Sequence, residues 1–387
     1  MRVLFIVNEV SFFFSHRLVI AEMLLSMQAE VYVLAGSEES NEKYLHAIDE
    51  LKKKGVRVLI APYESTGKNL LTEMYGLFYV IKKVIQLKPD VIHCASMKGN
   101  LYGSISSFFS RSAYLITTIA GKGYFYTEKY HERKLIKWIF RKAYEYVYQI
   151  AISRKKHLII AQNMTDYLEL RKNSGLSQSC IRLIRGSGVN VSQFDECDIS
   201  KKEKIILCPA RVLYTKGIEE FVEASHIASK TLKDWKFLVA GGISRNNPAA
   251  VEEDKIIEWK SKNIVNFCGH VKDISKLFCS ASIVCLPSYR EGLPKVLLEA
   301  SAARCAIITS DAIGCRDVVE DGLDGLIVKV GAVDELAQAM IKLAKDLNLT
   351  KKFIEASYLK TTENFSEEIV VAAFRDIYEG ISKKVID

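Results

Sequence analysis

No stretch of this sequence is apolar for long enough to cross a bilayer. The run at residues 3–7 is stopped by Asn8 and Glu9, so no secretory leader is expected. Residues 101–120 are interrupted by serines and Arg111, which makes them a poor span. None of the nine cysteines, Cys94, Cys180, Cys197, Cys208, Cys268, Cys279, Cys285, Cys305 and Cys315, forms a C-x-x-C pair. Several sit in strand-like apolar runs, so reduced, buried, cytoplasmic thiols are expected rather than a disulfide framework. No metal-ligand spacing occurs, and no metal site is expected. No G-x-G-x-x-G follows the first strand, which argues against a dinucleotide-dependent dehydrogenase. Internal repeats and low-complexity segments are also missing.

What is present is a chain of 387 residues, long enough for two domains, with 49% hydrophobic residues to fill two cores. The formal net charge of +8 is unevenly placed. Residues 1–200 hold 27 Lys and Arg against 19 Asp and Glu, whereas residues 201–387 hold 27 against 27. The excess in the first half points to an anionic partner such as a membrane surface or phosphorylated lipid. Scattered solvated lysines are the plain alternative. Residues 129–156 are rich in basic and aromatic side chains, including Trp138, and would suit an anionic bilayer. Ile136, Phe140, Ala143 and Val147 would form an inward stripe there. The charge alone would also suit nucleic acid, but no nucleic-acid motif supports it, so no nucleic-acid partner is expected.

The chain alternates between strand and helix patterns. A strand is expected over residues 2–7, then a loop over 8–15 carrying Phe12, Phe13 and Phe14. A helix then opens at His16 and Arg17. Strands follow over 30–35, 56–60, 88–93, 114–119, 148–152, 159–161 and 181–184, with helices over 41–54 and 70–86. A polar stretch from Gly186 to Glu203 reads as a boundary. Strands over 205–208, 236–240, 265–268, 283–286, 306–309 and 325–328 come next, with helices over 217–230, 334–346 and 366–382. This alternation is the signature of parallel, doubly wound sheets. Two tandem halves of that kind leave a cleft, a usual ligand site.

The most informative stretch runs from Ser288 through Glu291, Gly292, Leu293 and Pro294 to Glu299. A buried strand leads into a loop carboxylate, a helix start at Pro294, and a second carboxylate one turn further on. Helix-start N–H groups suit a diphosphate, and carboxylates accept hydrogen bonds from sugar or ribose hydroxyls. A helix cap at Glu291 and a solvated Glu299 would read the same way locally. A second stretch places Arg211 just past a strand end and Lys216 with Gly217 at the next helix start, two cations suited to a diphosphate. A third is Gly241-Gly242, where backbone can approach a ligand.

Together these stretches resemble the retaining GT-B glycosyltransferases of family four. The resemblance rests on the E-x7-E spacing of Glu291 and Glu299 and on the Arg-x4-Lys-Gly pattern from Arg211 to Gly217. Ser187-Gly188-Val189-Asn190, Gly269-His270-Val271 and the Ser310 to Cys315 loop agree with it. The first half is similar to the subgroup that builds bacterial surface polysaccharides and lipid-linked oligosaccharides, through Phe14-Ser15-His16-Arg17 and residues 118–124.

The resemblance implies a GT-B α/β fold of two tandem Rossmann-like domains with an interdomain cleft. Residues 1–188 would bind acceptor and residues 189–365 nucleotide sugar, and residues 366–387 would form a helix crossing back to the first domain. Arg211, Lys216 and Glu291 would be catalytic. Gly242, Gly269, Val271, Gly292, Leu293, Pro294 and Glu299 would hold the donor, with Glu299 on the ribose. His16, Arg17, Gly121 and Lys122 would meet the acceptor. The implied donor is a UDP-sugar, with no metal and no other cofactor. The implied acceptor is a polyprenyl-diphosphate-linked saccharide at the inner membrane, whose anionic surface the basic first half would touch from the cytoplasm. Many relatives carry a histidine two residues beyond His93, where this chain has Ala95. Alternatives are a sugar-nucleotide epimerase of similar architecture and a non-catalytic sugar-nucleotide-binding protein. The intact Arg211, Lys216, Glu291 and Glu299 argue against a decayed site.

Overall fold

The structure, a computed structural model, describes residues 1–37, 42–64, 69–119, 156–173, 177–243 and 247–386. It divides into two compact units, Met1–Ser187 with Glu368–Asp387, and Gly188–Glu367.

The first unit is built on β1 (Arg2–Val7), β2 (Glu30–Ser37), β3 (Arg57–Glu64), β4 (Val91–Ala95), β5 (Tyr114–Ile119), β6 (His157–Ala161) and β7 (Ile181–Leu183). Every pairing is parallel, and the spatial order is β3-β2-β1-β4-β5-β6-β7. The order reverses between β1 and β4, the switch point where open parallel sheets hold ligands. The strands read as near-continuous apolar runs because helices cover both faces. On one face lie α1 (Val10–Ser26) and α2 (Glu42–Lys53), burying Phe13, Ile20, Leu24, Ala47 and Leu51 against Phe5 and Val33. On the other lie α3 (Leu70–Leu87) and α4 (Met97–Ser107), with Val80, Val84 and Tyr102 against Leu4, Ile6 and Leu34. A further helix, α5 (Met164–Asn173), follows β6.

The second unit has β8 (Glu203–Cys208), β9 (Lys236–Ala240), β10 (Val265–Gly269), β11 (Ala281–Leu286), β12 (Ala306–Ser310) and β13 (Leu326–Val328). These too are parallel, in the order β10-β9-β8-β11-β12-β13, so its switch point lies between β8 and β11. Its helices are α6 (Ile218–Ser229), α7 (Glu253–Ser261), α8 (Ile274–Ser280), α9 (Lys295–Ala302), α10 (Val333–Lys345) and α11 (Leu347–Phe365). The last helix, α12 (Glu367–Ile386), belongs from Glu368 onward to the first unit. It buries Val370, Phe374, Tyr378 and Ile381, spaced to lie on one helical face, in the core that also holds Phe5 and Phe13.

Three local expectations are corrected. The helix expected from His16 starts at Val10, so Phe12, Phe13 and Phe14 are helical. Aromatic residues are indifferent helix formers, but Phe13 packs edge-on against Phe5 with ring centroids 5.0 Å apart, and that burial decides the matter. The long helix α11 had no sequence signal. Half of its buried side is hydroxylated, at Thr350, Ser357 and Thr361, and these bond internally: Thr361 Oγ1 donates to Ser301 Oγ at 2.9 Å. Finally, Cys197 and Cys279 form a disulfide across 82 residues of sequence, with Cα atoms 4.8 Å apart. A pairing of that range has no local spacing to read. The other seven cysteines are free, and burial pushes the thiols of Cys94, Cys208, Cys285, Cys305 and Cys315 upward.

Candidate active site

The sequence motifs of the second unit converge at the carboxyl ends of β8 and β11. Strand β11 is buried along nearly its whole length and delivers Pro287 and the fully buried Ser288 to the sheet edge. The next residues cannot continue as strand, because the loop must turn back into α9. Pro294 caps that helix in an extended conformation, with α9 beginning at Lys295. Within the loop, Glu291 Oε1 accepts from Ser288 Oγ at 2.8 Å and from Lys216 Nζ at 2.5 Å. The two side chains of the ion pair are 24% and 13% exposed, so they are screened by water only in part. Ser288 was not singled out as a site residue by sequence. Its position three before Glu291 across a tight loop is the signal that could have found it.

Two glycines allow the three chain segments to approach this closely. Gly217 has φ +70°, and a Cβ there would lie 2.1 Å from the Pro287 carbonyl oxygen. Gly314 has φ +86°, and its Cβ would lie 2.6 Å and 2.7 Å from the carbonyl oxygens of Glu291 and Gly292. Any side chain at either position would force the backbones apart. The clasp is closed by Tyr289 N donating to Thr215 O at 3.0 Å, Glu291 N to Ile313 O at 2.9 Å, and Ser310 Oγ to Ser288 O. Lys216 is therefore fixed opposite Glu291 by backbone contacts, independent of the ion pair itself.

Arg211 follows β8 and is exposed; its guanidinium makes no hydrogen bond or ion pair among the described residues. Its loop is tied to the end of β9 by Val212 N donating to Gly242 O at 3.1 Å. Gly242 in turn approaches His270: a Cβ on it would lie 3.8 Å from the His270 Cβ. Gly269 has φ +67°, which turns the chain out of β10, and Val271 is partly buried against the core. The segments carrying Arg211, Gly242 and Gly269 are thus neighbours along the strand ends, as Lys216, Gly292, Leu293 and Pro294 are around Glu291. The arrangement presents an uncommitted cation, a paired lysine and carboxylate, and partly exposed strand-end backbone. That combination can bind a diphosphate and accept sugar hydroxyls.

Glu299 lies elsewhere on α9. The charged groups acting on it are Lys295 and Glu367, which are themselves 3.7 Å apart. Burial pushes its carboxyl up to about 7; Lys295 opposes the rise and Glu367 adds to it. A carboxyl near neutrality can donate as well as accept a hydrogen bond.

In the first unit, the structure corrects the placement of His16 and Arg17. Neither stands at the turn into α1; both lie well inside that helix. His16 stacks on Phe12, ring centroids 4.7 Å apart, and its Nδ1 is 2.7 Å from Ser15 Oγ. Arg17 is only 1% exposed. Its Nη1 donates to the His16 carbonyl at 3.2 Å, while Nε and Nη2 are buried without partners. Burial lowers its pKa to about 10, which leaves it charged at neutral pH. His93 is a core residue. Its Nδ1 is 2.8 Å from Tyr378 Oη on α12, and its Nε2 is 3.0 Å from Thr118 Oγ1. Burial, and then the charge of Arg17, hold its pKa well below the usual value, so it stays neutral. Ala95 is fully buried at the end of β4. Gly121, Lys122 and nearly all of the basic segment at 129–156 lie outside the described residues.

The chain is similar to known glycosyltransferases. Residues 192–360 match the family model described as glycosyl transferases group 1, and residues 2–163 match the one described as glycosyl transferase 4-like. The chain is 26% identical over 402 residues, with both chains covered completely, to the N,N'-diacetylbacillosaminyl-diphospho-undecaprenol alpha-1,3-N-acetylgalactosaminyltransferase of Campylobacter jejuni. It is 32% identical over 176 residues, 44% of this chain and 42% of the relative, to that organism's alpha-1,4-N-acetyl-D-galactosaminyltransferase acting on a diphospho-undecaprenol-linked saccharide. Among solved structures, Anabaena HepE with UDP and glucose superposes with a TM-score of 0.75 at 17% identity, covering 98% of this chain and 100% of that one. A glycosyltransferase from Rickettsia africae gives 0.73 at 20% identity, covering 99% and 98%. At these identities the structural likeness establishes the fold.

Proposed function

Because the chain belongs to the GT-B glycosyltransferases of family four, we propose that it moves a hexose or N-acetylhexosamine from a UDP-sugar to a polyprenyl-diphosphate-linked saccharide in surface glycan assembly. The observation that carries the reading is the Lys216–Glu291–Ser288 constellation, with Arg211 on the neighbouring strand end at the switch point of the second sheet. The names of the two Campylobacter relatives support the lipid-linked acceptor and favour an N-acetylhexosamine. The UDP held by the Anabaena structure supports the donor nucleotide.

In this scheme Arg211 and Lys216 hold the donor diphosphate, Glu291 meets sugar hydroxyls, and Glu299 meets the ribose. The bond from the sugar C1 to the β-phosphate oxygen breaks, and one from C1 to the acceptor oxygen forms. Negative charge grows on the departing UDP as positive charge develops on the sugar. Fixed cations at the phosphates stabilise that state more than the ground state. The acceptor proton passes to the departing phosphate oxygen on the same face, which gives retention at C1.

Two experiments test the reading. Incubation with UDP-N-acetylhexosamine and a diphosphate-linked saccharide should release UDP only when the acceptor is present. Epimerised donor appearing without acceptor would replace transfer by epimerisation. Since two side-chain cations supply the charge stabilisation, activity should persist in EDTA. Loss in EDTA with recovery on added Mg²⁺ would move that role to a metal.

A further inference from the structure

Helix α3 carries an outward face that no other described element of the first unit covers. Its inner face is ordinary, with Val80 and Val84 fully buried beside β1 and β2 residues. On the outer face Leu71 is 76%, Tyr75 64%, Phe78 63% and Ile85 49% exposed, with Met74 alongside. These positions follow the spacing i, i+3, i+4, i+7 and i+14, so they form one stripe along the helix. Singly exposed apolar residues need no explanation, but a row of large ones along one helix face does.

Cations outnumber carboxylates around the stripe. From Leu70 to Arg111 the chain holds five cations, Lys82, Lys83, Lys88, Lys98 and Arg111, and two carboxylates, Glu73 and Asp90. Neither carboxylate belongs to the outer face. Glu73 is engaged by Lys98 at 2.9 Å and by the Tyr102 hydroxyl of α4, and Asp90 accepts from the Arg2 backbone N–H at 2.6 Å. Lys82 is exposed within the stripe, and Lys83 lies beside it over the Tyr79 ring. At the end of α4, which packs beside α3, Phe108 and Phe109 are 39% and 56% exposed, with Arg111 next to them. No helix among the described residues is long and apolar enough to cross a membrane.

We propose that the outer face of α3 is a docking surface for an anionic phospholipid bilayer. The helix would lie along the interface with Leu71, Met74, Tyr75, Phe78 and Ile85 among the acyl chains and Lys82 and Lys83 at the phosphates. A helix apolar on its outer face, basic at its flanks and free of outward acid matches that surface in both shape and charge. A second copy of the chain would offer the same lysines to each other and so lacks the charge complement. The inference rests on the lipid-linked acceptor proposed above, which would place the substrate in a bilayer, and it concerns residues other than the basic segment at 129–156.

The test uses the full chain and acceptor-free vesicles, so it does not depend on turnover. Vesicles of phosphatidylglycerol and phosphatidylcholine should bind the protein in flotation, and pure phosphatidylcholine should bind it at least tenfold more weakly. Binding to the anionic vesicles should weaken with salt. The double variant Leu71→Ser/Phe78→Ser should lose at least tenfold in vesicle affinity with an unchanged Tm. Phe78→Trp, which keeps the fold, should be quenched by brominated acyl chains beyond the quenching of the three native tryptophans. Unaltered vesicle binding by the folded double variant, or an unquenched Phe78→Trp, would overturn the proposal. So would a concentration-dependent dimer that the double variant abolishes, in place of vesicle binding. Vesicle docking combined with no transfer to a lipid-linked saccharide would instead fault the acceptor assignment and leave the surface standing.

Discussion

Lys216→Ala should lower turnover by about two to three orders of magnitude while the fold is kept. The main chain that carries Lys216 is held by a clasp, Gly217 against Pro287 and Tyr289 N to Thr215 O, and the variant leaves that clasp untouched. What it removes is the partner of Glu291, at 2.5 Å, and the cation that the proposed mechanism moves onto the departing phosphate. The Glu291 carboxylate and a donor phosphate would compete for the same ammonium. The loss should therefore appear mainly in kcat, because the charge it stabilises develops in the transition state. Lys216→Arg should restore little, since a planar guanidinium cannot reproduce a point contact to Glu291 Oε1. Combining Lys216→Ala with Glu291→Gln should cost less than the sum of the two single losses, because each single change disables the same pair. Steady-state kinetics on purified protein check all three. Near-normal turnover in Lys216→Ala would remove the residue from the reaction.

Glu299→Gln should make the second unit more stable above neutral pH and flatten its pH dependence. The Glu299 carboxyl is raised from 4.5 to about 7 in the folded protein, mainly by burial. Between those two values the folded state binds a proton that the unfolded chain has released. Stability is thus greatest below the unfolded value and is lost as pH rises toward the folded one. A shift of that size corresponds to roughly 3 kcal/mol as an upper figure. The amide removes the penalty, so at pH 8 the variant should gain up to about that much and at pH 5 much less. Urea midpoints at the two pH values measure it; an unchanged slope in the variant would show that another group titrates. The same variant should bind donor more weakly, since the proposed ribose contact uses the carboxylate. Stability and function would then move in opposite directions at one side chain.

The sequence carried the α/β class, the strands and the motif positions, because each rests on local chemistry. Apolar runs of strand length, glycines at strand ends and proline at a helix start act within a few residues of themselves. That was enough to put Arg211, Lys216 and Glu291 on strand-to-helix loops of parallel sheets and Glu299 one turn into the helix that follows. It was not enough to start α1 at Val10, because Phe13 is helical through its contact with Phe5. Nor could it show α11, whose buried Thr350 and Thr361 hydroxyls find partners on other elements. The tertiary structure alone paired Lys216 with Glu291 across 75 residues and joined Cys197 to Cys279. It buried Arg17 and His93 in the core and left the apolar face of α3 outside. Each of these depends on which distant segments meet, and packing, not local propensity, decides that.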